Sequence, residues 1–499
     1  MTETIAHLRS LLEQVEDLKA AAAVLEWDQE TYMPPGAADA RAYQVATLRR
    51  LAHERFVDEA VGSLLDRART DGLDPLSDEA SLVRVARRDY EKAVRLPADL
   101  VADLAEAVAR AKIAWQQARA GDDFAAFAPH LERLVVLNAR KAEALGYDGT
   151  RYDALLDQYE PGLRTATLDR VFETMRAGLV PLVQALAEAA PPEDDFLHQP
   201  FDRQTQWDFG MAVLRDIGYD FERGRQDLSA HPFTTTFSVH DVRLTTRIRD
   251  DFFPTAFFGT LHEAGHGLYE QGVDPALDRT PLADGTSLGM HESQSRLWEN
   301  LVGRSRPFWQ HYYPKLQAAF PEPLGAVPVE TFFRGINRVQ PSLIRVEADE
   351  VTYNLHIMLR YELERALVDG TLGVEALPEA WNDRMEAYLG LRPATDARGV
   401  LQDIHWSLGA LGYFPTYALG NLMSVQLYEA ARRDLGDLDG QIAAGQFGGL
   451  LGWLREHVHR WGRKLDAGDL LERVTGSGLD AEPWLAYVRR KYEALYGLP

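Results

Sequence analysis

The stretch Gly259-Thr260-Leu261-His262-Glu263-Ala264-Gly265-His266-Gly267-Leu268-Tyr269-Glu270 carries the pattern H-E-x-x-H near the middle of the chain. On a helix, His262 and His266 lie four residues apart and project from one face, so two imidazoles can share one metal ion. Glu263 is rotated by about 100° from His262, which places it beside such an ion. That is the position of a general base for a metal-activated water.

The residues before this pattern favour a buried helix over a chance match on a surface helix. Pro254 stands where a helix should begin, and the run Ala256–Leu261 is apolar or small. A solvated helix face would be more polar at these positions. The sequence therefore predicts a buried helix that carries a metal site.

A catalytic zinc site normally has three protein ligands, and the third has to come from elsewhere. The extended pattern H-E-x-x-H-x-x-G-x-x-H is excluded, because Tyr269 and Gly272 occupy the positions of its glycine and third histidine. The best candidates are carboxylates in the block His291–Asn300. Glu292 is the first choice and Glu299, seven residues on, is its rival. Glu270 is interpreted as an outer residue that holds an imidazole, with a plain surface carboxylate as the alternative.

With these residues, the chain resembles the carboxypeptidase Taq family of H-E-x-x-H zinc metallocarboxypeptidases, which is metallopeptidase family thirty-two. The resemblance extends from near the start to the C-terminal helices. It begins near Trp27–Gln29, and besides the metal pattern the matching blocks are Asp241–Thr245, His291–Ser293, Ile344–Asp349 and Gly399–Trp406. Five ordered blocks are far more specific than one metal pattern.

The resemblance implies a zinc ion held by His262, His266 and Glu292, with Glu263 as the base. Such a ligand set also accepts cobalt. The resemblance also implies peptide substrates with a free C-terminus, removal of one residue at a time, broad side-chain preference and a homodimer. Because it covers nearly the whole chain, we expect one domain over residues 1–499. Its parts are a helical region 1–230, the metal and substrate region 231–435, and C-terminal helices 436–499.

The amino-acid composition excludes several kinds of binding partner and of catalytic site. The 499 residues are 46% hydrophobic, which is ordinary for a globular protein, and the net charge of −23 disfavours binding to nucleic acid or anionic membrane. The absence of cysteine excludes disulfides, thiol catalysis and cysteine-based zinc sites. We find no signal-like N-terminus and no membrane span, and we expect a cytoplasmic protein.

One stretch departs from helical periodicity. Alternation of apolar and polar residues over Phe233–Thr245 predicts a small antiparallel β element just before the metal helix. Such a strand can pair with an extended peptide, or it can be purely structural. Arg243 on this element is a candidate for substrate binding, and His240 is a second candidate.

Arg345 is the residue expected to bind the terminal carboxylate of a substrate, because a guanidinium matches a carboxylate with two parallel hydrogen bonds. It lies in Ile344–Tyr353, which is predicted to be a helix along the site. The alternative is that Arg345 pairs with Glu347, with Asp349 or with another segment of the chain.

Hydrolysis of an amide passes through an oxyanion that a phenol or imidazole donor can stabilise. Tyr413, Tyr417 and His405 are the candidates, and Tyr417 is slightly preferred by analogy with other helical zinc peptidases.

The sequence thus predicts a mainly α-helical zinc carboxypeptidase with two helical halves around a deep cleft. A zinc endopeptidase or oligopeptidase of the same helical type stays open as an alternative. A non-catalytic, zinc-stabilised peptide-binding protein is the third possibility.

Overall fold

The computed structural model describes residues 3–498, and the first part of this range is helical, as the sequence predicts. α1 and α2 pack against each other as an antiparallel pair. Leu8, Leu12 and Val15 on one stripe of α1 are fully buried. The nine helices of this part are α1 Glu3–Thr31, α2 Ala38–Phe56, α3 Glu59–Arg67, α4 Asp78–Arg95, α5 Ala98–Gly121, α6 Phe124–Leu145, α7 Arg151–Leu156, α8 Thr165–Glu188 and α9 Arg203–Asp216.

A three-stranded sheet follows these helices. β1 is Gly224–Leu228, β2 is Thr234–Ser238 and β3 is Asp241–Thr246, in the order β1-β3-β2. β2 and β3 form the antiparallel hairpin that the alternation predicts, with a shift in pairing between Thr236 and Ser238. β1 was not predicted, and it pairs with β3 in parallel, so the sheet as a whole is mixed. Residues 224–228 carry no apolar alternation, and only their contact with β3 makes them a strand.

The central helices surround the predicted metal helix. α10 begins at Phe253 with Pro254 in its first turn, and Leu261, Ala264 and Leu268 on it are fully buried. α10 packs against β3, α9 and α11. The helices of this part are α10 Phe253–Gly272, α11 Leu288–Arg296, α12 Arg306–Ala319, α13 Pro321–Leu324, α14 Val329–Ile336, α15 Tyr353–Val368, α16 Leu377–Leu389 and α17 Pro415–Leu435.

The predicted helix over Ile344–Tyr353 is wrong. The segment forms a single 3-10 turn at Arg345–Glu347, and α15 begins only at Tyr353. The Asp349 side chain accepts hydrogen bonds from the backbone N–H groups of Gln340, Val351 and Thr352. A short acidic side chain that binds nearby backbone donors competes with helix formation, and here it fixes a loop.

The last helices pack beneath the central ones. They are α18 Leu438–Ala443, α19 Gly448–His457, α20 Ala467–Thr475 and α21 Glu482–Tyr496. α17 contacts α11, α15, α20 and α21, so it forms the centre of this packing. Between residues 3 and 498, no helix combines the length and the apolar character needed to cross a membrane.

Candidate metal centre

The structure brings His262, His266 and Glu292 together. The Oε2 atom of Glu292 lies 3.6 Å from Nε2 of His262 and 3.5 Å from Nε2 of His266. Two atoms that ligate one ion at about 2.1 Å in tetrahedral geometry are separated by about 3.4 Å. The three side chains therefore fit a single divalent cation, and two imidazoles with one carboxylate are a donor set that zinc accepts.

Two glycines allow Glu292 to reach the histidines. A Cβ at Gly265 of α10 would overlap the carbonyl oxygen of Gln294 and lie 2.5 Å from Cα of Ser295, so α10 and α11 touch by their backbones. On the other side of α11, a Cβ at Gly420 of α17 would lie 2.6 Å from Cβ of Glu292. A larger residue at Gly265 would push α11 and Glu292 away from the two imidazoles, and a larger residue at Gly420 would displace the Glu292 side chain itself.

Glu299 contacts the opposite edge of the His262 ring. Its Oε2 atom lies 3.0 Å from Nδ1 of His262, and Arg296 donates hydrogen bonds to both Glu292 and Glu299. The segment Leu297–Val302 is a π-helical turn, whose wider winding rotates Glu299 off the face of Glu292. Glu299 thus orients an imidazole in this structure, while Glu292 faces the Nε2 atoms.

Glu270 holds an imidazole, although a different one from the two in the H-E-x-x-H pattern. Its Oε1 atom lies 2.6 Å from Nε2 of His291, and Nδ1 of His291 lies 2.6 Å from Nδ1 of His266. The spacing of His291 gave no sign of this role, which depends on the close approach of α10 and α11.

Glu263 is 7% exposed and lies beside the three-residue group. Burial raises its pKa, which makes the carboxylate a better proton acceptor near neutral pH. The Thr234 hydroxyl donates to Oε2 of Glu263 at 2.7 Å and also lies 3.0 Å from its carbonyl oxygen. Thr234 is the first residue of β2, so the sheet positions the expected base. Thr234 carries no signal of this role in the sequence, because only tertiary packing brings β2 onto α10.

The protonation states of His266 and Glu292 favour metal binding. Burial lowers the pKa of His266 to about 4, so its neutral, ligating form is the stable one at neutral pH. Burial also raises the pKa of Glu292, but Arg296 and the two imidazoles outweigh it and hold that pKa far below its ordinary value. Glu292 is therefore a carboxylate, the form that ligates a cation.

Arg345 is 6% exposed and is paired with a distant segment rather than with Glu347 or Asp349. Its Nε and Nη2 groups donate to Oδ1 of Asp403 at 3.0 and 2.8 Å, and its Nη1 group donates to the Tyr353 hydroxyl at 2.9 Å. Arg360, which is fully buried, donates to Oδ2 of the same Asp403 at 2.6 Å. Two guanidinium groups share one carboxylate, so this buried cluster has one positive charge in excess.

Neither Arg360 nor Asp403 was predicted from the sequence as a functional residue. Asp403 lies inside the block Gly399–Trp406, which was recognised only as a whole. A charged residue in the middle of the apolar run of α15 was the available signal for Arg360.

The three oxyanion candidates lie together. Nε2 of His405 is 3.3 Å from the Tyr417 hydroxyl, and the rings of Tyr413 and Tyr417 are 5.4 Å apart. Arg345 faces the Tyr417 ring at 5.1 Å. Burial raises the pKa of both phenols, and the charge of Glu292 adds to the effect, so both hydroxyls stay protonated donors near the ligand group.

Arg243 and His240 have different surroundings. Arg243 donates two hydrogen bonds to Asp241 and stacks over Trp27 at 4.4 Å and Phe237 at 4.9 Å. His240 is exposed at the β2–β3 turn, and its backbone N–H donates to Ser238. The contact between Arg243 and Trp27 links β3 to α1. The substrate roles of both residues stay predictions.

Residues 7–492 match the family described as "Carboxypeptidase Taq (M32) metallopeptidase". The chain belongs to the carboxypeptidase Taq family. It is therefore a metallocarboxypeptidase by family, a class of peptide hydrolase that requires a metal ion. The match covers nearly all of the described residues, including every residue of the metal centre.

Individual members of the carboxypeptidase Taq family are similar over their full lengths. "Thermostable carboxypeptidase 1" of Thermus thermophilus is 45% identical over 493 residues, with 96% of each chain covered. "Carboxypeptidase 1" of Bacillus subtilis is 38% identical, with 97% of each chain covered. The crystal structure of an M32 carboxypeptidase from Deinococcus radiodurans R1 superposes with a TM-score of 0.97 at 45% identity, covering 99% of this chain and 100% of that one. The mainly helical fold is thus the fold of this family.

Proposed function

We propose that this protein is a zinc-dependent carboxypeptidase that removes single amino acids from the free C-terminus of peptides, with broad side-chain preference. The observation that carries the proposal is the grouping of His262, His266 and Glu292 with Glu263 beside them. Zinc is the proposed ion, and cobalt is expected to replace it.

The ion, when bound, supplies Lewis-acid activation of a water molecule and of the scissile carbonyl. In the proposed mechanism, Glu263 accepts the proton of the attacking water and returns it to the leaving amine. Thr234 holds one oxygen of the Glu263 carboxylate, which fixes the orientation of this base. Tyr417 is the proposed donor to the developing oxyanion, and Tyr413 and His405 are the alternatives.

The excess positive charge at Arg345 and Arg360 supports recognition of a free C-terminus. A substrate carboxylate at Arg345 would neutralise the charge that Asp403 leaves unbalanced, whereas Arg360 is fully buried and adds its positive charge from within the protein. Such a contact would place the last peptide bond of a substrate beside His262, His266 and Glu292, so that one residue is released at a time. Arg243 is proposed to support Arg345 in holding the free C-terminus, and His240 is a further candidate for substrate binding.

Several wider features belong to the same proposal and rest on family resemblance and composition. We propose that the chain is a single domain, with its helices arranged as two halves around a deep cleft. We propose that it works as a homodimer in the cytoplasm. It is not expected to bind nucleic acid or membranes, because its net charge of −23 opposes both.

The deciding experiment compares a short peptide with its C-terminal amide after incubation with zinc-loaded protein. Mass spectrometry should show stepwise loss of C-terminal residues from the free acid and no loss from the amide. Internal cleavage of both peptides would favour the endopeptidase alternative and discard the carboxylate contact. Absence of cleavage in both, with zinc bound, would favour the non-catalytic peptide-binding protein.

A further inference from the structure

A second group of metal-ligating side chains adjoins the metal centre. Glu270, Asp284 and His291 each offer one ligand atom, and these atoms lie within 4.8 Å of one another. Glu270 comes from the last turns of α10, Asp284 from the loop before α11, and His291 from α11 itself. Three separate segments thus converge on one point, which is the usual construction of a metal site.

The charges at this point are unbalanced. Two carboxylates face one imidazole, and the pKa of Asp284 is raised by burial of its carboxyl group and by the neighbouring Glu270. Arg463 also faces Asp284 and opposes this rise. However, Arg463 forms an ion pair with Asp89 at 2.9 Å and donates a hydrogen bond to the carbonyl oxygen of Pro281 at 3.2 Å. The negative charge of the pair is therefore only partly compensated by the protein.

Access differs among the three residues in a way that suits an exchangeable ion. Glu270 is 3% exposed, His291 is half-buried and Asp284 is exposed as a residue. A cation can enter on the Asp284 side and meet the buried carboxylate and the imidazole behind it. Two oxygen ligands and one nitrogen ligand suit zinc, manganese or cobalt.

We propose that Glu270, Asp284 and His291 form a second divalent-cation site, and that its occupation weakens the first site. The proposal rests on the proposed function in one respect, namely that His262, His266 and Glu292 hold the first ion. Because His266 presents Nε2 to that first ion, its ring proton is on Nδ1. It donates this proton to Nδ1 of His291, and His291 in turn donates from Nε2 to Glu270.

A cation at the second site requires the lone pair of Nε2 on His291. The proton on Nε2 then moves to Nδ1 of the same ring, where it meets the N–H group of His266. Two N–H groups facing each other repel, so the His266–His291 hydrogen bond is lost and His266 loses its support. Loss of such an outer hydrogen bond typically reduces metal affinity or activity by about 10–100-fold. The second ion is therefore inhibitory.

The test is equilibrium dialysis of the full-length protein against increasing zinc, with bound metal measured by elemental analysis. Wild type should bind two ions per chain in two steps. Asp284→Asn should bind one ion over the same range. The matched control is Asp71→Asn, which removes the same charge from an exposed loop position and should still bind two. Thermal unfolding of both variants checks that they fold.

Peptide hydrolysis measured on the same samples supplies the second readout. Wild-type and Asp71→Asn activity should fall about tenfold as the second ion binds, whereas Asp284→Asn activity should not change between the first equivalent and excess zinc. Saturation of the wild type at one ion would overturn the second site. Two ions bound to Asp284→Asn would also overturn the second site. Unchanged activity with two ions bound would overturn the proposed weakening of the first site. If the wild type binds two ions but cleaves nothing at one equivalent, the proposed function fails while the site stands.

Discussion

The Glu299 carboxylate lies 3.0 Å from Nδ1 of His262, and Glu292 lies 3.6 Å from Nε2 of the same ring. One imidazole is thus held between two acidic residues seven positions apart in the chain. The ring cannot turn without losing its contact with Glu299, so its Nε2 atom stays directed at the place where a metal ion fits.

The first prediction concerns Glu299. Glu299→Gln should weaken zinc binding by about 10–100-fold, because His262 loses a charged partner that orients it. Competition with a chelator measures the affinity. Glu330→Gln is the control, since Glu330 is an exposed carboxylate whose partner, Arg306, is also exposed, and it should leave zinc affinity unchanged. If Glu299→Gln binds zinc as the wild type does, the orienting role is wrong.

Glu263→Gln should retain zinc and lose turnover. The amide is nearly the same size and still accepts the hydrogen bond from Thr234, but it cannot accept a proton. General-base catalysis contributes about 10²–10⁴-fold, so kcat should fall by that factor. Metal analysis and peptide hydrolysis on one preparation separate the two effects. Near-normal activity would remove Glu263 from the mechanism.

Arg345→Ala should reduce kcat/KM for peptides with a free C-terminus by about 10–150-fold, the value of a charge-assisted hydrogen bond of about 1.5–3 kcal/mol. Asp403 keeps its ion pair with Arg360, so the fold should survive. The loss should be confined to free acids, and peptide amides should stay unreactive. A loss of activity accompanied by loss of bound zinc or by a lower unfolding temperature would instead indicate a general structural defect.

Tyr417→Phe and Tyr413→Phe separate the oxyanion candidates. Removal of the hydroxyl that donates to the oxyanion should reduce kcat by about 10²–10³-fold, with little change in KM. We expect the loss in Tyr417→Phe, because its hydroxyl already lies 3.3 Å from Nε2 of His405. The larger effect in Tyr413→Phe would reverse the assignment, and small effects in both would leave His405→Gln as the next variant to measure.

Glu364 should make stability depend on pH. It accepts hydrogen bonds from Tyr152, Trp406 and the backbone of Gly412, but its burial prevails and raises its pKa from 4.5 to about 7. A carboxyl with a raised pKa binds its proton more tightly in the folded protein. Its contribution to stability is therefore full below pH 4.5 and is lost as pH rises towards 7.

Urea unfolding of the wild type and of Glu364→Gln measures this effect. Between pH 4.5 and 7.5 the free energy of unfolding of the wild type should fall by up to about 3 kcal/mol relative to that of the variant. This is the free energy that corresponds to a pKa shift of about 2.5 units. Glu364→Gln is expected to be less stable at acidic pH, because an amide cannot satisfy all three donors. A constant difference between the two proteins across this range would show that Glu364 has an ordinary pKa.

Local sequence was sufficient where neighbouring residues form the structure. The metal helix, its start at Pro254, the β2–β3 hairpin and the return of the chain at Glu292 all follow from periodicity, turn residues and spacing. The same reasoning failed at Ile344–Tyr353, where Asp349 binds backbone donors and prevents a helix. It also missed β1, which exists only because β3 offers a free edge.

The sequence by itself determined which residues of this protein have the chemistry for metal binding and base catalysis, because the spacing of His262, Glu263 and His266 on one helix carries that information. The tertiary structure decided their partners. Glu299 holds His262 because of a π-helical turn, His291 reaches His266 because Gly265 lets two helices touch, and Arg345 shares Asp403 with Arg360 across more than forty residues of chain. Contacts between segments distant in sequence depend on packing, and no local pattern encodes them.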